Sequence, residues 1–293
     1  MTDVRALELT SAWPVPNVAA AVVAGDRRLD SIGPIDQRFR LASISKPMTA
    51  WAVLVAVEEG IVSLDDPYEA DDPTRTLRHL LAHAAGFGVD TAAPIVAAER
   101  KRIYSNSGIE LAARLVEAAS GMAFADYLRE AVFEPLGMAD SALDGSPAHQ
   151  VWSTVDDVAR FTAEVTAPRL LSASTSDDAR RIQYPALGGI VPGVGRFGTS
   201  PWGLGFEIRG NKQPHWTGTR NSPGTHGHFG GSGTMAWIDP AATADDRPIA
   251  LIALTDRPFE QWADDALRLW PALSDAVLDE FAAPAATGAP GAG

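Results

Sequence analysis

The chain contains no cysteine, which removes a thiol nucleophile, a thiolate metal site and a disulfide framework together. Lysine is nearly absent too: Lys46, Lys101 and Lys212 are the three among 293 residues, and the net charge is −13 with a pI near 4.8. Counterion release onto nucleic acid needs clustered Lys and Arg, so neither nucleic acid nor an anionic membrane surface is expected as a partner. Long apolar runs are missing as well. Val18 to Ala24 and Trp51 to Val57 fall far short of the roughly 20 residues that span a bilayer. Met1 to Pro16 carries Asp3, Glu8 and two prolines with no basic stretch ahead of an apolar one, so no secretory signal is read there and a cytoplasmic location is expected.

Apolar side chains, by contrast, make up 46% of the sequence, enough for a large core in one big domain or two interleaved ones. Val18 to Gly25 and Gln37 to Ala42 read as early strands. From Ile44 to Glu59 apolar residues cover most of the helical circumference, which predicts a helix buried on nearly every side and ended by Gly60. Pro47 fits its first turn, where an N–H has no intrahelical acceptor. Helices follow at Leu77 to Ala84, Ile109 to Ser120, Phe124 to Phe133 and Thr154 to Val165, the last with Ser153 and Asp156 as a capping box.

Strand patterns return at Leu204 to Arg209, Thr234 to Ile238 and Ile249 to Thr255, before a final amphipathic helix from Glu260 to Phe281. The predicted fold class is therefore α+β, an antiparallel sheet built from both chain ends and flanked by helices, with a helical domain inserted. The expected boundaries are 1–72 with 202–281 for the sheet domain and 73–201 for the helical one. The Ala-, Pro- and Gly-rich tail at 282–293 reads as disordered.

Ser43 and Lys46 lie three residues apart at the start of the buried helix, so their side chains share a face. A helix N-terminus and burial both lower a lysine's pKa, which makes a neutral Lys46 available to take the Ser43 proton. S-x-x-K by itself arises about once by chance in a chain this long. Here, however, a scarce lysine opens a buried apolar helix, which is unfavourable unless it has a partner or a task. Two further segments add to it. Tyr104-Ser105-Asn106 projects a phenol and an amide just ahead of a helix. In His228-Phe229-Gly230-Gly231-Ser232-Gly233 the glycines let a strand edge present bare N–H groups to a ligand.

Ser43-Ile44-Ser45-Lys46, Tyr104-Ser105-Asn106 and His228-Phe229-Gly230 together resemble the three motifs of the serine beta-lactamase and penicillin-binding-protein superfamily, with the class C beta-lactamase-like branch the nearest. Leu80 to Gly86, Phe133 to Met138 and Ser153 to Asp157 fall in that branch's order, and the similarity runs from about Val18 to Thr255. The resemblance implies a beta-lactamase/transpeptidase-like fold with the site in a cleft between its two parts. It also implies roles: Ser43 as nucleophile, with Lys46 and Tyr104 sharing the proton and passing it to the leaving group. Asn106 would bond Lys46 or substrate, His228 would sit near Tyr104 and position it, and the Ser43 and Gly231 N–H groups would form the oxyanion hole. Gly230 and Gly231 count with Asn106 and His228 as substrate-binding residues.

Other signals are set aside. Gly193 to Gly198 matches G-x-G-x-x-G but follows Pro192 and meets Pro201, so it reads as a loop, and no cofactor is expected. His226 with His228 lacks a third ligand, so no metal is expected; His79 and His83, four apart, read as structural. No G-x-S-x-G elbow occurs. The partner is then a small-molecule acyl substrate. The family's third motif elsewhere is K-T-G; His228 in place of that lysine is only fractionally charged at neutral pH. This favours small carboxylic esters over the alternatives, a D-aminoacyl peptidase or amidase, a beta-lactamase, or a non-catalytic penicillin-recognising or partner-binding module, unless Arg196, Arg209 or Arg220 compensates.

Overall fold

The apolar run at Val18 forms β1 (Val18–Ala24), the heart of a computed structural model that describes residues 5–283. Its side chains alternate between two cores, as period-two strand geometry requires. Ala19, Ala21 and Val23 join the core around the first long helix, while Ala20 and Val22 join the core under the C-terminal helix. A strand covered on both faces reads as continuously apolar, which is why no polar residue interrupts it.

Five more strands complete the sheet: β2 (Arg27–Ile32), β3 (Glu207–Ile208), β4 (His226–Gly230), β5 (Thr234–Ala244) and β6 (Arg247–Thr255). Their order is β3-β4-β5-β6-β1-β2, antiparallel throughout. Strands from both ends of the described chain thus meet at the β6–β1 pair, where Val18 lies opposite Thr255. The helices that concern the site are α1 (Ser45–Glu58), α2 (Leu77–Leu81), α3 (Asn106–Ser120), α4 (Val155–Thr166) and α5 (Ala263–Phe281). Every residue of α1 from Ser45 to Ala56 is buried. On the opposite face Trp270, Leu273 and Val277 of α5 cover the sheet. Among the described residues no helix is long and apolar enough to cross a membrane.

Several local expectations shift. The strand read at Gln37 to Ala42 is paired only at Phe39–Arg40, against Val151–Ser153, and the chain then turns in a 3-10 segment at Ala42–Ile44. The helix at Leu77 stops at Leu81, and His83 lies beyond it at φ +55°, so His79 and His83 do not share a helical face. Phe124 to Phe133 is helical only to Leu128 before a π turn at Arg129–Phe133. The cap of α4 is Thr154, whose hydroxyl accepts from the Asp157 N–H; the neighbouring Ser153 hydroxyl bonds Ser141 instead. Gly193 to Gly198 belongs to a hairpin, Gly189–Val191 with Gly195–Phe197, rather than an open loop. At the tail, the Ala283 N–H donates to Thr243 O, and 284–293 lie outside the described residues.

One glycine fixes how the sheet meets α1. A Cβ built on Gly230 would lie 2.3 Å from Leu41 O and 3.0 Å from the Ala42 Cβ, so β4 reaches the segment ahead of α1 only without a side chain. Gly230→Ala is expected to destabilise the fold by roughly 1–3 kcal/mol, the usual range for overpacking. Urea unfolding tests this, and an unchanged midpoint would show that the contact relaxes freely.

Candidate active site

Ser43 sits in the 3-10 turn that feeds α1, directly after a strained residue. Ala42 has φ +49°, a left-handed conformation that disfavours a side chain by roughly 1–2 kcal/mol. Contacts from distant parts of the chain hold it there. Leu41 N–H donates to Val151 O, Thr234 Oγ1 donates to Leu41 O, and Ser45 Oγ donates to Ala42 O while accepting the Val151 N–H. A strained residue persists where its neighbours over-determine it, and here that fixes the Ser43 side chain.

One turn on, the Lys46 ammonium is fully buried and meets three acceptors: Asn106 Oδ1 at 2.7 Å, Ala148 O at 2.9 Å and Ser43 Oγ at 3.2 Å. The Tyr104 ring lies beneath it, 4.6 Å from Nζ to the centroid. Burial lowers the Lys46 pKa to about 7, against the opposing pull of Asp90 and Glu110. The two carbonyl oxygens are the better acceptors. A neutral amine keeps its two N–H bonds to them and turns its lone pair toward Ser43 Oγ.

Tyr104 OH lies 2.5 Å from Ser43 Oγ, and burial pushes its pKa up, so it stays a phenol at neutral pH. Its backbone is clamped by His83, which the sequence marks only as structural. Ile103 N–H donates to His83 O at 3.1 Å, and Ser105 N–H donates to His83 Nδ1 at 3.2 Å. The two residues flanking Tyr104 are thus tied to one histidine. Its ring also packs 5.1 Å from that of Tyr104 and 4.6 Å from that of Trp202. Because a backbone N–H can only donate, His83 Nδ1 is an acceptor; burial holds the ring neutral.

His228 packs 5.7 Å from the Tyr104 ring but shares no hydrogen bond with it among the described residues. Its Nδ1 donates to Phe229 O, and burial first, then Lys46, lowers its pKa to about 3. It is therefore neutral, not fractionally charged. Of the arginines considered as compensating cations, none lines the space at Ser43. Buried Arg209 donates to Gly218 O and Gly210 O, Arg220 pairs with Asp279, and Arg196 lies on the Gly195–Phe197 hairpin strand. Lys212 is spent on Glu207 at 2.7 Å, a pair buried with His215 and Trp216 around it.

Two cavities meet at Ser43, Tyr104 and Gly231. One, of about 490 Å³, is walled by Val191, Pro192, Trp202, Phe229 and Phe259. The other, of about 730 Å³, is more polar and carries Arg38, Arg40, Asn106 and Trp152. Arg38 and Arg40 were not anticipated from the sequence. Among the described residues neither the Ser43 nor the Gly231 N–H has a backbone acceptor. Gly231 lines both cavities, and a Cβ on it would meet nothing within 4 Å. Gly230 instead faces Leu41, as above, and lines neither cavity.

A serine hydroxyl, a buried amine and a phenol, set between two cavities and beside two N–H groups without a backbone acceptor, are the groups that acyl transfer through a serine calls for. Comparison with known proteins agrees. The beta-lactamase family model matches residues 12–274. A crystal structure described as a beta-lactamase from Mycobacterium bovis shares 46% identity at a TM-score of 0.89, covering 95% of this chain and all of that one. Penicillin-binding protein 4* of Bacillus subtilis is 30% identical over 135 residues, which is 34% of this chain and 29% of that protein. Esterase EstB of Burkholderia gladioli is 38% identical over 65 residues, 18% of this chain and 17% of that enzyme. The chain thus spans less than a third of the length of these two curated relatives. It belongs to the beta-lactamase family of serine hydrolases.

The His83 clamp yields a test that separates hydrogen bonding from backbone strain. Asn and Gly both tolerate φ +55°, but only Asn offers an acceptor to the Ser105 N–H. His83→Gly is expected to lower kcat roughly 10–100-fold and His83→Asn much less, with similar melting temperatures. Equal kcat in the two variants would mean the acceptor does not matter.

Proposed function

We propose that this protein hydrolyses small carboxylic esters through an acyl-enzyme on Ser43. The observation that carries the choice of ester is that, among the described residues, no usable cation lines the cavity on the side of the third motif. His228 is neutral, Lys212 is tied to Glu207, and the adjoining cavity is mainly apolar. A substrate carboxylate placed there would lose its water and gain no charged partner, whereas a neutral alcohol portion loses little.

In this reading Lys46 as the free amine takes the Ser43 proton while Oγ attacks the acyl carbon. The Ser43 and Gly231 N–H groups stabilise the oxyanion, a contribution on the order of a hundredfold or more in rate. Collapse breaks the bond to the leaving oxygen, which takes up a proton delivered from Lys46 by way of Tyr104. Water then repeats the sequence at the acyl-enzyme, with Lys46 again the base. Asn106 holds Lys46 in place. Since Lys46 and His228 come from one proposed domain (1–72 with 202–281) and Tyr104 and Asn106 from the other (73–201), the site would lie between them.

A second reading, amide or peptide hydrolysis, draws support from Arg38 and Arg40 lining the larger cavity. They would suit a substrate whose anionic group lies on that side, away from His228.

Intact mass after mixing with a p-nitrophenyl acyl ester tests the nucleophile: an adduct or turnover is expected in wild type and neither in Ser43→Ala. Turnover retained in the mutant would overturn the assignment. Against a chromogenic cephalosporin, kcat/KM for the ester should be higher by about tenfold or more; the reverse order would favour the beta-lactam alternative. The rate should also rise with pH through about 7, where Lys46 becomes the free base, and a flat profile across neutrality would exclude Lys46 as that base.

A further inference from the structure

We propose that Asp90 is a positioning residue for Lys46 that acts through Asn106, fixing which end of the Asn106 amide faces the lysine. The proposal rests on the Ser43 acyl-enzyme reading above and adds to it a residue outside the three motifs.

An asparagine amide has one end that accepts and one that donates, and nothing in its own shape chooses between them. Here Asn106 Nδ2 donates to Asp90 Oδ1 at 2.9 Å, and Asn106 Oδ1 accepts from Lys46 Nζ at 2.7 Å. A carboxylate only accepts, so Asp90 selects the NH2 end and leaves the carbonyl oxygen for Lys46. With the amide reversed, an NH2 group would face the lysine N–H bonds, and Lys46 would lose the nearer of its two carbonyl acceptors. The amine's lone pair would then no longer be held toward Ser43.

Asp90 is exposed, yet its place is not loose. The loop that carries it docks on the start of α3. Val89 O accepts the Asn106 N–H at 2.7 Å, and the Ser105 hydroxyl donates to Gly88 O while capping the Gly108 N–H. Thr91 Oγ1 closes the same turn by accepting the Gly88 N–H. The backbone bond from Asn106 to Val89 and the side-chain bond from Asn106 to Asp90 therefore run side by side, between the same two elements.

The carboxylate has a second effect through its charge. The titratable groups that face Lys46 are Asp90 and Glu110, the Tyr104 phenol, and His83, His149 and His228, whose pKa values are all lowered, with burial as the largest cause. Asp90 is the larger of the two carboxylate influences that oppose the burial of Lys46. Removing its charge lowers the lysine pKa further, so the base is freed at lower pH.

The experiment is the rate at which a fluorophosphonate labels Ser43, read by intact mass across the neutral pH range. In that step the Oγ–P bond forms, fluoride leaves and Lys46 takes the Oγ proton. Asp90→Asn removes the charge and, with its Oδ1 turned to Asn106 Nδ2, still offers an acceptor, while its own NH2 end makes the choice of amide orientation weaker than with a carboxylate. Its midpoint should move down by about half a pH unit while its plateau stays within about threefold of wild type. Asp90→Ala removes both, so its midpoint should fall likewise and its plateau by about tenfold. A midpoint unchanged in both variants, or a plateau in Asp90→Ala equal to that of Asp90→Asn, overturns the proposal. Absence of labelling in wild type, or equal labelling of Ser43→Ala, instead removes the acyl-enzyme reading on which it stands.

Discussion

The arrangement turns on a single buried nitrogen. A lysine with no exposure is stable in its charged form only if each N–H has an acceptor, and in its neutral form only if its lone pair has somewhere to point. Asn106 Oδ1, Ala148 O and Ser43 Oγ meet both conditions. Their surroundings bring the Lys46 pKa to about 7, where neither form dominates. In the proposed mechanism the group must accept a proton and return it in each half-reaction, which needs that balance. The acceptors come from α3, from the loop ahead of β-strand residues Val151–Ser153, and from the turn before α1. The fold's task at this point is to bring three distant segments to within hydrogen-bond reach of one atom.

The surroundings keep other positive charge away from that nitrogen. His83 and His228 are buried and neutral, and each spends its Nδ1 on the backbone. The Glu207 carboxylate, which reaches the smaller cavity, is saturated by Lys212, His215 and Trp216, with its acidity strengthened by Lys212 and His215 against the opposing effect of burial. Removing one partner of such a buried pair leaves a bare charge in low dielectric, so the cluster is held as a unit. It offers no free cation to a ligand. Arg38 and Arg40 instead line the larger cavity, with Arg40 Nη2 donating to His149 Nδ1.

How much of this was legible in the sequence follows from the range of each signal. Helix and strand identities came through from the length of apolar runs and the turn residues that bound them, as in α1, buried from Ser45 to Ala56, and in the doubly covered β1. Ends were less readable. Ser153 and Thr154 both carry hydroxyls that suit a cap, and Ser141, from outside the helix, is what occupies the first and leaves the second. The structure brings Ser43, Lys46, Tyr104 and Asn106 together: within each motif the spacing is local, but the contacts from Ser43 to Tyr104 and from Lys46 to Asn106 cross 61 and 60 residues, and only the resemblance pointed to them. Ala148 had no signal at all, since any residue supplies a carbonyl. His83 was visible within Leu80 to Gly86, but its part depends on where Ile103 and Ser105 come to rest, twenty residues on.

The same distinction explains why substrate preference reads less well than chemistry. Proton transfer depends on atoms within one hydrogen bond of Ser43, and those lie on the motifs. Selection depends on the cavity walls, which come from the Gly189–Phe197 hairpin, Trp202, the Phe259 turn and the Arg38 to Arg40 segment. None of these carries a pattern tied to a ligand. Replacing a third-motif lysine by His228 looks in sequence like a change from a fixed charge to a titrating one. In the folded chain it is a change to a neutral ring, because the desolvation that lowers Lys46 to about 7 acts on His228 as well and takes it to about 3. One low-dielectric pocket thus does two things: it brings the lysine to a pKa at which the proposed mechanism can use it as a base, and it withholds the positive charge that a substrate carboxylate would seek on that side.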